Sequence, residues 1–153
     1  MKYVMPYTDG HDGSLRWWRM IGNCLNWDND MPPARFIKMT TYTVKRGQMS
    51  DFFRFWRNDI KLKRALGHTG VMGVFKLESG GPAFQLLVVQ PYNSHAEGLG
   101  DIENPDLDYV EEYNKMYGWR MHRADLMAFN NSIEQWGITV ETAELKPDMS
   151  SKF

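Results

Sequence analysis

The sequence predicts one α+β domain whose elements follow the order β-α-β-β-α-β. A chain of 153 residues suits a single hydrophobic core, and 42% of its residues are hydrophobic, which is enough to form one. Two helical segments alternate with four strand-like segments, and a glycine-rich hairpin joins the middle pair of strands. We therefore expect one domain over residues 35–146, preceded by an arm or lid at 1–34 and followed by a tail at 147–153.

The first β-α unit begins at Arg35. Residues 35–44 are rich in β-branched and aromatic types and lack Gly and Pro, which predicts strand one. Residues 48–66 carry apolar side chains three or four positions apart, which predicts a helix with Ser50 as its cap and Gly67 at its end. The apolar face consists of Met49, Phe52, Phe53, Trp56 and Ile60.

The second half of the domain starts with a hairpin. Residues 71–78 and 83–90 predict strands two and three, joined by the turn Ser79-Gly80-Gly81-Pro82. Residues 106 to about 136 are helical in composition, with a break expected at Gly118 and an end at Gly137. Residues 138–145 alternate in polarity and predict strand four.

Residues 1–34 differ from the rest in composition. They contain turn-forming Gly, Asp and Asn, and Pro32-Pro33 would end any regular element. Between these signals, Ser14 to Leu25 could form one short amphipathic helix that docks its tryptophans on the domain.

The predicted sheet is apolar on both faces. Side chains alternate along a strand, and strand three places Leu86 and Val88 on one face but Leu87 and Val89 on the other. Right-handed crossovers put both helices on one side, which gives a ferredoxin-like arrangement. Removing apolar area from water contributes about 25 cal/mol per Å², so we expect a cover for the second face: another subunit, the N-terminal arm, or a bound apolar molecule.

The strand RFIKMTTYTVKRG followed by the helix QMSDFFRFWRN resembles the opening of proteins in the dimeric α/β-barrel superfamily. The resemblance extends over about residues 34–146 and includes antibiotic-biosynthesis monooxygenase-like, EthD-like, stress-responsive barrel and NIPSNAP-type proteins. It implies a homodimer whose sheets pair face to face, with a cavity between each sheet and its helices. It also implies oxidation or rearrangement of a small apolar or aromatic compound there, without a cofactor.

Candidate catalytic residues follow from this picture. A histidine near neutral pKa is a natural general base. His95 lies in a loop longer than a connection needs, and His68 precedes strand two. We expect one of them to take a proton from the substrate while Tyr42 orients it. This role is wrong if His95→Ala and His68→Ala both leave turnover unchanged.

Other residues are candidates for contacting the ligand. Trp56 and Trp119 offer flat apolar surfaces, Phe75 is an aromatic of strand two, and His122 shares a helix face with Asp125. Ordinary core packing is the favoured explanation for the aromatic residues, since Trp56 lies on an apolar helix face. The alternatives are a non-catalytic binding or assembly module, and a haem-binding barrel that a Soret band would reveal.

Composition disfavours several other classes. A formal charge of −1 argues against nucleic-acid partners and against docking on a membrane by charge. The single cysteine, Cys24, excludes an internal disulfide and favours a cytoplasmic protein. No HExxH or P-loop pattern occurs, so we expect no bound metal and no nucleotide hydrolysis.

Overall fold

The computed structural model describes residues 4–8, 15–22, 24–28, 30–94 and 107–146, and every structural statement below concerns these residues. The described elements are β1 (Val4–Thr8), β2 (Leu15–Met20), β3 (Phe36–Val44), α1 (Met49–Ala65), β4 (Gly73–Ser79), β5 (Gln85–Tyr92), α2 (Tyr109–Tyr117), α3 (Met121–Ser132) and β6 (Ile133–Glu144). The predicted tail and the loop that carries His95 lie outside the described residues.

The six strands form one sheet in the order β1-β2-β4-β5-β3-β6, and every neighbouring pair is antiparallel. Its four core strands, β4-β5-β3-β6, have the order of a ferredoxin-like sheet, in which the first and last strands of the β-α-β-β-α-β repeat are neighbours. This confirms the fold class that the sequence predicts.

The helix α1 follows the predicted face closely. Phe52, Ile60 and Leu62 are buried, and Gly67 ends the segment with φ +73°, a backbone angle that glycine adopts without strain. The predicted cap is wrong, because Gln48 is the N-cap residue and makes no side-chain capping bond.

The long helical segment breaks at Gly118, as predicted, into α2 and α3. Its predicted end near Trp136 is wrong, since β6 begins at Ile133 and Trp136 is a strand residue with φ +63° and 91% exposure. The pairing of β6 with β3 is irregular between Tyr42 and Val44. A Cβ at Gly137 would meet the carbonyl oxygen of Thr43 at 2.9 Å, so this irregularity requires glycine.

The predicted helix over Ser14–Leu25 is also wrong. Residues 15–20 form β2, whose neighbours in the sheet are β1 and β4. Leu25 then forms an isolated bridge with Met72. Residues 1–34 therefore add two strands to the same sheet.

Both sheet faces are apolar, as predicted. On the helix-covered face, Val44, Leu86 and Val88 pack beneath α1 and α3. On the opposite face, Phe75, Leu87 and Val89 are buried together with Trp18. Trp27 also packs here, edge to face with Phe75 at 5.7 Å between ring centroids. The N-terminal segment thus covers part of this second face within a single chain.

No helix in the described parts of the chain is both long and apolar enough to cross a membrane.

Candidate ligand-binding site

An aromatic cluster occupies the space between the sheet and the helices. Tyr42, near the C-terminal end of β3, lies 5.4 Å from Phe52, 6.2 Å from Trp56 and 5.8 Å from Phe129, measured between ring centroids. The interplanar angles of 65° to 72° are edge-to-face arrangements, which aromatic pairs favour. Strand parity turns Tyr42 toward the helices, and the helical spacing of Phe52 and Trp56 turns both toward the sheet.

Two polar groups in this cluster have no hydrogen-bond partner among the described residues. The indole Nε1 of Trp56 is buried and unpaired. The hydroxyl of Tyr42 makes no hydrogen bond there either, and burial raises the pKa of this phenol above its ordinary value. Leaving a buried donor unpaired costs about 1–3 kcal/mol, so the indole N–H of Trp56 marks a place where a polar partner atom is expected.

The cluster borders an exposed apolar strip on β6. Ile138 pairs with Tyr42 and Val140 pairs with Thr40, so both point to the helix-covered face. They are nevertheless 50% and 57% exposed. The helices therefore leave the β6 side of this face open, and Tyr42 lies at the border between the covered and the open part.

The structure does not bring His68 to this cluster. Val89 pairs with both Met39 and Gly73, so these two residues lie at one level of the sheet. Tyr42 lies about 10 Å beyond Met39 along β3. His68 precedes Gly73, in the loop after α1, so it lies in the opposite direction from this level. The imidazole Nδ1 of His68 accepts a hydrogen bond from the backbone N–H of Gly70 at 2.9 Å.

The remaining predicted ligand-binding residues are dispersed. His122 lies 5.2 Å from Tyr113 and 6.3 Å from Phe55 between ring centroids, on the outer side of the cluster. Phe75 lies on the opposite sheet face. Trp119 is exposed in the turn before α3, where the guanidinium of Arg120 stacks 4.0 Å from its ring centroid. Among the predicted residues that the structure describes, only Tyr42 and Trp56 are in contact.

A network of buried polar groups joins the three helices. Asp125 of α3 is 1% exposed, and its carboxylate accepts hydrogen bonds from the side chains of Arg54 at 2.8 Å, Asn58 at 2.9 Å and Tyr113 at 2.8 Å. Burial raises the pKa of Tyr113, and the hydrogen bond to Asp125 raises it further. The phenol therefore stays protonated and donates this hydrogen bond.

A second buried carboxylate, on α1, also accepts a hydrogen bond from a tyrosine of α2, and this tyrosine lies one helical turn before Tyr113. Asp59 accepts a hydrogen bond from the hydroxyl of Tyr109 at 2.5 Å and pairs with Lys63 at 3.1 Å. Burial and the neighbouring Asp59 raise the pKa of Tyr109. Every acceptor named here has a donor, so the network clamps α1 to α2 and α3.

In the sequence analysis, Asp125 is named only as a helix-face neighbour of His122, and Asp59 is not named. The sequence does contain a signal for both carboxylates, which is their spacing from core residues. Asp59 follows Phe52 by seven positions, and Asp125 precedes Phe129 by four. These spacings return a residue to the same helix face. Within the described residues, no group of three or more His, Cys, Asp or Glu side chains could hold a metal ion.

No protein-family model matches the sequence, and no curated protein matches it. Among solved structures, the chain is similar to a NIPSNAP family protein from Agrobacterium tumefaciens, at 16% identity and a TM-score of 0.47, over 80% of this chain and 95% of that one. A second such protein from the same organism, described as having unknown function, matches at 17% identity and a TM-score of 0.42, over 76% of this chain and 91% of that one.

NIPSNAP-type proteins are thus among the solved structures that this chain resembles, in agreement with the sequence resemblance. The strand order of this chain assigns the fold.

Proposed function

We propose that this protein binds a small apolar or aromatic molecule against Tyr42 and Trp56, at the open border between sheet and helices. The observation that carries the proposal is the buried, unpaired indole N–H of Trp56, which lies beside Tyr42 in an apolar cluster. Ligand sites typically combine apolar walls with a few polar groups that fix orientation. The exposed strip of Ile138 and Val140 provides the way in.

The chemistry of the two groups narrows the ligand class. An indole N–H can only donate, and a phenol with a raised pKa remains protonated and able to donate at neutral pH. The buried carboxylates described beneath the helices, those of Asp59 and Asp125, already accept hydrogen bonds from Tyr109 and Tyr113, so neither needs an ionic ligand as a partner. The supported class is a neutral, flat molecule that carries a hydrogen-bond acceptor such as a ketone.

A matched pair of probes tests this class. We expect 2-acetonaphthone, a flat aromatic ketone, to bind about fivefold to tenfold more tightly than 2-isopropenylnaphthalene, which has the same shape without the acceptor. In Tyr42→Phe this preference should fall to about twofold, because one donor is lost. Isothermal titration calorimetry measures both affinities.

Tyr92→Phe is the matched control, since Tyr92 stacks on Phe36 at 5.3 Å and lies outside the cluster. The control should keep the full preference of the unmodified protein. Equal affinity for the two probes, or a preference that Tyr42→Phe leaves intact, contradicts the proposal.

Oxidation or rearrangement of the ligand is a further step that the superfamily resemblance implies. It requires a group that accepts a proton, and the raised pKa of Tyr42 suits a donor better than a base. Catalysis would therefore depend on His95 or on a displacement of His68. Binding without catalysis is the function that the described side chains support best.

We also propose a homodimer that pairs the sheet faces opposite the helices. Ile37, Met39 and Leu77 on this face are only partly buried in the single chain, which leaves apolar area for a partner. Native mass spectrometry of the purified protein, with no ligand added, should give twice the 17.9 kDa chain mass even at high dilution. A chain that stays monomeric at every concentration contradicts the dimer and leaves the proposed binding site untouched.

A further inference from the structure

A threonine is buried on the helix-covered face of the sheet, beside the open strip of β6. Thr40 is 7% exposed, and its side chain makes no hydrogen bond to another described residue. The other three buried residues of polar type have partners. Asp59 and Asp125 accept from tyrosines, and the hydroxyl of Ser132 donates to the carbonyl oxygen of Phe129 at 2.6 Å. Buried polar groups in native proteins normally have a hydrogen-bond partner, so the hydroxyl of Thr40 calls for one.

The strand pairing places Thr40 between a covered and an open neighbour. Thr40 pairs with Val88 of β5, which is 2% exposed, and with Val140 of β6, which is 57% exposed. Both neighbours are valine, which has the shape of threonine with a methyl group in place of the hydroxyl. A third valine would satisfy strand preference and packing at this position, so neither accounts for the hydroxyl.

Thr40 belongs to the same site as Tyr42 and Trp56. Residues two apart in a strand share a face, and the pairing of β3 is regular between Thr40 and Tyr42. The two residues are about 7 Å apart along the strand, a distance that one bicyclic aromatic ring spans. Trp56 packs against the core cluster that contains Val88, the neighbour of Thr40. A molecule that binds against Tyr42 and Trp56 and extends along β3 beside Val140 therefore passes over Thr40.

We propose that Thr40 selects ligands that carry a hydroxyl group at the end opposite their hydrogen-bond acceptor. The inference rests on the proposed function of the Tyr42 and Trp56 site, and it narrows the ligand class to neutral, flat hydroxy ketones. The indole N–H of Trp56 can only donate, so it binds the ketone oxygen. A threonine hydroxyl accepts as well as donates, so it accepts from the hydroxyl of the ligand. The two ends of the ligand meet complementary groups, which fixes its direction in the site.

Two probes of equal size test this selection: 6-acetyl-2-naphthol and 2-acetyl-6-methylnaphthalene, in which a methyl group replaces the hydroxyl. We expect the unmodified protein to bind the naphthol about fivefold to tenfold more tightly in isothermal titration calorimetry, as for one added hydrogen bond. In Thr40→Val this preference should disappear, whereas Thr40→Ser keeps the hydroxyl and should keep most of the preference. Thr139→Val is the matched control. Thr139 is exposed and pairs with Thr41, so it points to the other face of the sheet, and its replacement should leave the preference unchanged.

Unfolding of the ligand-free variants separates this role from a purely structural one. A hydroxyl whose partner is the ligand stabilises nothing in its absence, so Thr40→Val should unfold at an equal or higher urea concentration than the unmodified protein. A clearly lower midpoint would show that the hydroxyl bonds within the protein, and it would overturn the inference.

Equal affinities for the two probes, or a preference that survives in Thr40→Val, also overturn the role of Thr40. If 2-acetonaphthone binds while the two substituted probes do not differ, only the assignment to Thr40 fails and the proposed site stands. If none of the naphthyl ketones binds, the proposed function fails and the inference fails with it.

Discussion

Replacement of Asp125 by Ala is expected to destabilise the protein by about 3 kcal/mol, because removing one partner of a buried polar network leaves the others unpaired. The substitution removes the shared acceptor of Arg54, Asn58 and Tyr113. Arg54 is partly exposed and can turn to water, but the hydroxyl of Tyr113 is held in the core. Equilibrium urea unfolding measures the loss, which corresponds to a fall of roughly 6–12 °C in Tm for a chain of this length.

The matched control is Glu111→Ala. Glu111 pairs with Lys115 at 3.0 Å, but both side chains are more than half exposed, so this pair contributes less than about 0.5 kcal/mol. A double variant, Asp125→Leu with Tyr113→Phe, should recover part of the loss, because it removes the acceptor and the stranded hydroxyl together. An Asp125→Ala protein as stable as the Glu111→Ala control would show that the network does not clamp the helices.

The sequence predicts the element order well because the order depends on local signals. The apolar spacing of α1, the stop at Gly67 and the break at Gly118 all act within a few residues of the feature that they specify. The network of Asp59 and Asp125 depends on packing between helices, although its members hold core-facing positions. When a carboxylate occupies a core-facing position, hydrophobic periodicity alone does not show whether it is buried or merely interrupts the apolar face.

Two wrong predictions share a physical cause, which is pairing between distant strands. The segment Leu15–Met20 has aromatic residues that suit a helix or a strand, and the free edge of β4 decides in favour of the strand. Trp136 was assigned to a helix, but β6 already begins at Ile133 and pairs with β3. The candidate site was predicted in part, because strand parity and helix periodicity indicate the sides to which Tyr42 and Trp56 point.

Replacement of Trp18 by Ala is expected to cost about 3–5 kcal/mol, as for other large aromatic side chains removed from a core. Trp18 is 1% exposed and packs with Phe75, Leu87 and Val89 on the sheet face opposite the helices. If residues 1–34 were a lid that opens independently, removing one of its side chains would scarcely affect unfolding of the sheet. Because β2 belongs to the sheet, removing the Trp18 side chain should lower the midpoint of the whole urea unfolding transition.

Trp17→Ala provides the comparison within the same strand. Trp17 is 40% exposed, so its removal should cost less than about 1.5 kcal/mol. A large difference between the two neighbours assigns the N-terminal strands to the cooperative core. Equal and small effects would instead return residues 1–34 to the role of a detachable arm, and the partner subunit of the proposed homodimer would then have to cover the whole second face of the sheet.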